Sequence, residues 1–221
     1  PIRIALGLAV ALLLNTKISG LEWYRTIYYL PAVLSGVAVA LLWKWVFSPE
    51  FGLLNLVLSW FGVQGPAWLV DRRWALWALI LMSMWGIGGG MVIYLAGLQG
   101  IPTELYEAAA VDGATAVHRF FHITLPMLSP VLFFQLIMGI IQSLQTFVQG
   151  YVMTGGGPND ATLFFMLHLY NNAFWHFKMG YASAMAWILF AYIMLLTLMV
   201  LRSSQMWVFY QGTLRGEKGG K

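Results

Sequence analysis

The chain has 221 residues, of which 60% are hydrophobic and 9% are charged, and its mean hydropathy is +0.75. Soluble domains carry about 25% charged residues, so this composition excludes a protein that covers itself with a water-facing surface. The net charge of +4 is spread thinly, and because no basic cluster is interleaved with aromatic residues, a nucleic-acid partner is also excluded.

The first apolar stretch, Ile4–Leu14, is too short to cross about 30 Å of hydrocarbon. No small-x-small cleavage site follows it, which disfavours a signal peptide, so we expect a transmembrane helix that begins before Pro1. Four further stretches have about the 20 residues that a spanning helix needs: Ile27–Phe47, Trp74–Leu98, Met127–Tyr151 and Tyr181–Leu201. The sequence predicts an all-α polytopic transmembrane bundle with five spans visible of an expected six.

Basic residues set the expected orientation. Seven of them fall on the side of the C-terminus and four on the other, or five with Arg3, which favours a cytoplasmic C-terminus. The seven are Lys17, Arg25, Arg119, Arg202, Arg215, Lys218 and Lys221. We expect a membrane domain over residues 1–202 and a cytoplasmic tail over 203–221.

The segments on the outer side are not simple linkers. The run LLNLVLSWFGV within residues 48–73 predicts a short helix along the membrane interface. Asp71, Arg72 and Arg73 predict an interface anchor, with contact to a partner protein as the alternative. Residues 154–160, TGGGPND, form a turn cluster, and Ala161–Phe177 is predicted to be an amphipathic helix.

The inner segment from Gln99 to Pro126 is the most informative. Pro102 is a helix start signal, and Glu104 in the first turn favours the helix dipole. Asp112–Gly113 is a turn dipeptide in which glycine can take positive φ. A second helix is predicted over Ala114–Ile123, so the segment forms two short helices with a turn between them.

The second helix has an apolar face that can dock into a groove, because Val117, Phe120, Phe121 and Thr124 recur at i, i+3, i+4 and i+7. The alternative is a plain solvated connector, which the helical pattern and the apolar content disfavour. The loop joins two spans directly, so a push on it would move both of them. Pro126 is predicted to begin the next span.

The third full span contains Ser143 and Thr146 and four glutamines that fall on about one helical face: Gln135, Gln142, Gln145 and Gln149. Polar groups inside a membrane face a cavity or a partner helix. Two interpretations stay open, helix–helix hydrogen bonding and a path for an uncharged, hydroxylated solute, whose hydroxyls amides can meet as donors and acceptors.

Other residue patterns favour structural roles. Gly86, Gly90 and Gly97 share a face, which is typical of close helix packing. His118 and His122 are one helical turn apart, but no third ligand is evident, so no metal site is predicted.

The run EAAAVDGATAVHRFFHITLP, residues 107–126, resembles the EAA loop of the permease subunits of ATP-binding-cassette importers. That pattern is E-A-A, a later glycine and I-x-L-P, which this sequence supplies with Glu107, Ala108, Ala109, Gly113, Ile123, Leu125 and Pro126. The runs YRTIYYLPAVLSGVAVALLWKWVFSPEFGLLN and YVMTGGGPNDAT are similar to the sugar and glycerol-phosphate uptake branch. YVMTGGGP resembles the first permease of the maltose-type pair. The sequence departs from the family at its N-terminus, where a further span and a complete second one are expected.

The resemblance implies an importer permease fold that works by alternating access, with the EAA loop seated in a cleft of an ATPase subunit. The implied ATPase-coupling residues are Glu107, Ala108, Ala109, Asp112, Gly113, Ala114, Val117, Phe120 and Phe121. If the polar face of the third full span lines a solute path, the candidate residues are Gln135, Gln142, Gln145, Thr146 and Gln149. The implied partners are a second permease subunit, two ATP-binding subunits, an extracytoplasmic solute-binding protein, membrane lipid and a carbohydrate-like solute.

We expect a transporter subunit of a bacterial inner membrane and not an enzyme. No cofactor is expected in this chain, because it has no G-x-x-x-x-G-K-[ST] loop, and ATP and Mg²⁺ would be bound by the partner ATPase subunits. A secondary transporter or channel would need carboxylates for a coupling ion, and none of the 8 acidic residues falls in a span centre. A membrane-embedded enzyme would need paired acids, a Ser–His set or a metal cluster, which the sequence does not offer.

Overall fold

The computed structural model describes residues 1–16 and 20–209. In that part of the chain every regular element is a helix, which confirms the predicted all-α fold. Three π-helical turns, at Phe120–Thr124, Gly150–Thr154 and Asn171–Trp175, lie among the α-helices. The α-helices are α1 (Ile2–Leu14), α2 (Leu21–Val33), α3 (Gly36–Val46), α4 (Leu53–Trp60), α5 (Arg72–Trp85), α6 (Gly88–Gln99), α7 (Thr103–Val111), α8 (Ala116–Arg119), α9 (Leu125–Leu144), α10 (Phe165–Tyr170) and α11 (Met179–Trp207).

Two helical segments are long and apolar enough to cross a membrane without interruption. One is Ala116–Leu144, which comprises α8, the first π-turn and α9, and the other is α11. Two further candidate spans are pairs of helices, with a bend of 100° between α2 and α3 and of 44° between α5 and α6. Together with the 13-residue α1, all five apolar stretches of the sequence form helices.

The span predicted over Ile27–Phe47 is a bent pair of helices. Pro31 removes one backbone hydrogen bond from the last turn of α2, and the chain becomes extended at Leu34, where ψ is 148°. Ser35 then starts α3 in a new direction. The predicted span Trp74–Leu98 also bends, at Gly86 and Ile87 between α5 and α6.

Two other predicted boundaries are corrected. The helix predicted over Met127–Tyr151 begins at Ala116 and ends at Leu144. The helix predicted over Ala161–Phe177 begins only at Phe165, because the Thr162 hydroxyl donates to the Gly157 carbonyl at 2.7 Å and holds this part of the chain to the preceding turn.

The core consists of two clusters at opposite ends of the α5–α6 pair. One joins α1, α6 and α9 through Ala11, Leu14, Met91, Tyr94, Leu98, Ile101 and Leu128. The other joins α3, α5 and the segment after α9 through Ala40, Phe47, Ala78, Leu79, Met82 and Met153. The first cluster supports the segment between α6 and α9, and the second supports the segment that follows α9.

Glycines allow two helices to approach α6 closely. The backbone of Tyr28 in α2 lies where a side chain on Gly88 would project. A Cβ on Gly97 would lie 2.7 Å from Leu128 and 2.8 Å from Val131 of α9. The predicted packing role therefore holds for Gly97, whereas Gly86 lies at the break before α6.

The last helix runs past the predicted domain boundary at residue 202. α11 continues to Trp207, Ser204 and Val208 are buried, and the Phe209 N–H donates to Ser129 Oγ of α9 at 2.8 Å. The start of the predicted tail is thus held against the bundle. The rest of that tail, residues 210–221, and Lys17 lie outside the described residues.

Candidate functional site

The segment between α6 and α9, residues 100–124, forms two helices with a turn between them and is called the α7–α8 loop below. Pro102 is the N-cap of α7, and Glu104 lies in its first turn, as predicted. No residue of α7 is buried. The loop therefore projects from the bundle with its first helix open on the surface.

The turn after α7 is closed by two backbone hydrogen bonds. The Gly113 N–H donates to the Ala110 carbonyl at 3.1 Å, and the Ala114 N–H donates to the Ala109 carbonyl at 2.9 Å. Gly113 has a φ of +74°. This combination is the Schellman motif, in which a left-handed residue, usually glycine, ends a helix. The predicted turn at Asp112–Gly113 is confirmed.

The second helix differs from the prediction. It starts after Thr115, whose hydroxyl accepts from the His118 N–H at 3.3 Å, and it continues through the π-turn Phe120–Thr124 into α9. Pro126 does not begin a separate span, because it lies in the first turn of α9 directly after the π-turn. The π-turn changes the hydrogen-bond register there, and the Leu125 N–H donates to the Phe120 carbonyl.

One side-chain hydrogen bond joins the two halves of the loop. The hydroxyl groups of Tyr106 in α7 and Thr124 in the π-turn lie 2.9 Å apart, and Thr124 is only 6% exposed. Thr124 thus faces inward, and the prediction that it belongs to the apolar docking face of the second helix is wrong. Because of this bond, α7 is fixed to the base of α9 by more than the turn between them.

The exposed surface of the loop is apolar. The side chains of Val111, Val117 and Phe121 are 89%, 67% and 55% exposed, whereas Phe120 is half-buried. An open groove of about 490 Å³ runs beside them and is lined by Ala109, Asp112, Gly113, Ala114, Thr115, His118, His122 and Ile123. The π-turn therefore splits the predicted face, and Val117 and Phe121 remain available to a partner.

The α7–α8 loop also carries one exposed carboxylate and two stacked histidines. Glu107 and Ala108 are exposed, and Glu107 forms no ion pair with any described residue. His118 and His122 stack with ring centroids 3.9 Å apart, and His122 Nδ1 lies 3.0 Å from the His118 carbonyl oxygen. Residues 1–16 and 20–209 contain no group of three or more potential metal ligands.

The glutamines predicted to share one face divide into two groups. Gln135 lies in α9 and its side-chain amide donates to the Gly90 carbonyl of α6 at 3.3 Å, which is a helix–helix hydrogen bond. α9 ends at Leu144, so Gln145 is its C-cap and Gln149 follows the break. Gln142 and Gln145 are exposed and Gln149 is half-buried.

The hydroxyl of Thr146, also predicted on the solute path, donates to the Ser143 carbonyl at 3.0 Å. Asp71, on the segment before α5, is the N-cap of that helix. Its carboxylate accepts from the Arg73 N–H at 2.9 Å and from the Arg73 guanidinium at 3.1 Å. These hydrogen bonds lower the pKa of Asp71.

A protein-family model described as "Binding-protein-dependent transport system inner membrane component" matches residues 3–208. The chain belongs to this family. It is a multi-pass membrane component of a transport system and not an enzyme, and the resemblance to importer permeases is confirmed.

Relatives of this transport component are named as permease proteins. One is a probable ABC transporter permease protein, YesP of Bacillus subtilis (strain 168), 44% identical over 96% of this chain and 69% of its own length. Another is the sulfoquinovosyl glycerol transport system permease protein SmoG of Agrobacterium fabrum, 40% identical over 91% of this chain and 66% of its own length. A solved structure of a bacterial alginate ABC transporter, in complex with an alginate pentasaccharide-bound periplasmic protein, matches with a TM-score of 0.82 and 25% identity over 92% of this chain and 72% of that one.

Two features of this permease were missed from the sequence. The Tyr106–Thr124 bond depends on the π-turn, which no residue pattern signals. Four aromatic side chains around Tyr151 and Tyr170 meet after the end of α9. Their i, i+4 spacing within each segment could have suggested pairs, but not that the two pairs meet.

Proposed function

We propose that this chain is the membrane-spanning permease subunit of an ATP-driven importer that moves a carbohydrate or a related polar solute into the cytoplasm. Family membership supports the class of transport system. The names of its relatives, which include a sulfoquinovosyl glycerol permease and an alginate transporter, support the solute class.

The α7–α8 loop is the part that would receive the ATPase subunit. The observation that carries this proposal is its construction: the Schellman turn at Gly113 and the Tyr106–Thr124 bond fix the loop, while Val117 and Phe121 stay exposed. A rigid, exposed apolar surface on a short helix is suited to docking in a groove of a partner. The exposed Glu107 carboxylate could pair with a basic residue there.

Alternating access follows from the way the loop is attached. Its second helix continues into α9, so a displacement of the loop by the closing ATPase dimer moves a transmembrane helix with it. Closure upon ATP would open the pathway outward to a loaded binding protein, and hydrolysis would reset it. ATP and Mg²⁺ would be bound by the two partner subunits. The C-terminus and the α7–α8 loop would both be cytoplasmic.

A second permease subunit would complete the pathway. Much of the apolar surface of the spans is exposed, including Ile188 and Phe190 of α11 at 62% and 56%, and lipid and a second permease would share it. Gln142, Gln145, Thr146 and Gln149 would face the solute at the outer end of α9. Gln135, which bonds to α6, would hold the two helices together and is therefore not included in the proposed solute path.

The test is ATP turnover with and without the partners. The purified chain should hydrolyse no ATP, and the complex with a second permease and two ATPase subunits should hydrolyse ATP faster when a sugar-loaded binding protein is added. ATP hydrolysis by the chain alone would contradict the proposal. So would a complex whose rate of ATP hydrolysis does not change when loaded binding protein is added.

A further inference from the structure

Four aromatic rings from two separate segments meet beyond the end of α9. Phe147 and Tyr151 lie one turn apart, with ring planes within 13° and centroids 5.3 Å apart. Tyr170 of α10 approaches them at 5.1 and 5.4 Å, and Phe174 lies 4.9 Å from Tyr170. These four residues are called the aromatic array.

The array faces away from the nearby core. Val148 and Val152, on the same short segment as Tyr151, pack on the cluster around Phe47. Tyr151 is nevertheless 40% exposed and Phe174 is 55% exposed. Phe147 and Tyr170 are half-buried, so packing among the four rings leaves mainly the surfaces of Tyr151 and Phe174 uncovered.

Polar residues lie near the array in the sequence. Gln145 and Gln149 are each two positions from Phe147, and Gln145 is exposed while Gln149 is half-buried. The rings of Tyr151 and Tyr170, whose centroids are 5.4 Å apart, also carry phenol hydroxyls. Amides and phenols supply both donors and acceptors.

Two π-turns shape this region. Tyr151 lies in Gly150–Thr154, and Phe174 lies in Asn171–Trp175. Such turns are rare and are found frequently at functional sites. Here each of them carries one of the exposed rings of the array.

We propose that the aromatic array is a stacking surface for the pyranose rings of the solute, at the entry of the path from the binding protein. A pyranose ring has an apolar C–H face and a rim of hydroxyls. The negative face of an aromatic ring attracts C–H groups, and the amides of Gln145 and Gln149 meet the hydroxyls. This inference rests on the proposed function and adds a specificity for cyclic sugars to it.

The experiment uses the assembled importer with its binding protein in vesicles, supplied with radiolabelled maltose, trehalose, lactose and raffinose. Tyr151→Leu removes the ring, and Tyr151→Phe keeps it. Phe174→Leu removes an exposed ring from the other segment. Trp175→Leu is the matched control, because Trp175 is adjacent and 67% exposed but lies outside the array.

At sugar concentrations well below saturation, uptake should fall about tenfold in both array Leu variants, the factor that 1.4 kcal/mol of lost interaction gives. Tyr151→Phe keeps the ring and loses only the phenol, so its uptake should fall less than that of Tyr151→Leu. Trp175→Leu should retain uptake, and all variants should assemble with wild-type yield. Normal uptake in Tyr151→Leu and Phe174→Leu would overturn the inference alone. So would a loss that follows the yield of assembled complex, or an equal loss in Trp175→Leu. A wild-type importer that moves none of these sugars would also overturn the inference, whereas the proposed function is decided separately by the ATP-turnover test, which does not depend on the array.

Discussion

Gly113→Ala tests whether the geometry of the α7–α8 turn is needed to connect the ATPase to transport. Gly113 has a φ of +74°, where an L-residue costs about 1–2 kcal/mol. The turn could relax only by giving up its two closing hydrogen bonds, each worth about 0.5–1.5 kcal/mol. The two bonds together are worth about 1–3 kcal/mol, so keeping the strained turn at about 1–2 kcal/mol sets the cost. A cost of that size lowers the population of the native turn relative to distorted loops by a factor of about 5–30.

Gly62→Ala is a control with the same backbone strain at another place. Gly62 has a φ of +71°, and at both glycines a Cβ would meet no atom within 4 Å. The two variants should therefore lose similar thermal stability, for the same reason. Only Gly113→Ala should weaken co-purification of the ATPase subunits and reduce the stimulation of ATP hydrolysis by loaded binding protein.

Two further variants at the same position separate strain from obstruction. Asparagine tolerates the left-handed region better than alanine, so Gly113→Asn should recover part of the coupling if strain alone is the cause. Gly113→Arg should stay in the membrane and lose both docking and uptake, because a long side chain would also obstruct the ATPase cleft. Gly113→Ala and Gly62→Ala are expected to lose similar thermal stability. If they also showed equal stimulation of ATP hydrolysis and equal co-purification of the ATPase subunits, the reasoning about this turn would be refuted.

Three other outcomes are expected. Gly88→Ala should lower the melting temperature of the assembled complex, because overpacking against the Tyr28 backbone costs about 1–3 kcal/mol. Gly89→Ala should not lower it, because its Cβ would be in ordinary contact at 3.8 Å, and equal melting temperatures of the two variants would contradict this prediction. Tyr106→Phe should reduce ATPase-driven uptake two- to tenfold through the loss of one neutral hydrogen bond of about 0.5–1.5 kcal/mol, and unchanged uptake at normal complex yield would show that the bond is not needed. Gln145→Leu should lower uptake severalfold while assembly persists, and a loss of assembly instead would assign that amide to helix contacts.

Local signals in the sequence predicted the first half of the α7–α8 loop correctly. The start of α7 and the turn at Gly113 depend on residues within a few positions of each other, and proline and glycine restrict or free the backbone wherever they lie. The bend after Val33 and the end of α9 at Leu144 were not predicted. A window of apolar residues reports that a segment prefers a membrane, but the direction of the helix inside it depends on packing against neighbours.

The candidate sites show the same division. Gln135 and Gln145 have the same residue type and were placed on one face by helical spacing, but one bonds to α6 and the other caps α9. Spacing alone shows neither which neighbour an amide meets nor where the helix ends. Likewise, the predicted docking face lost Thr124 because the π-turn shifts the register, a change that depends on tertiary contacts such as that with Tyr106.

The continuity of Ala116–Leu144 has a mechanical consequence. At 1.5 Å per residue, this 29-residue segment is a lever arm of about 42 Å. Its cytoplasmic end would carry Val117 and Phe121, and its far end stops beside Gln145 and the first ring of the aromatic array. A tilt of about 5° at one end displaces the other by about 4 Å at this length. An ATPase and a sugar would therefore act on the two ends of one rigid body, with no relay of side chains needed between them.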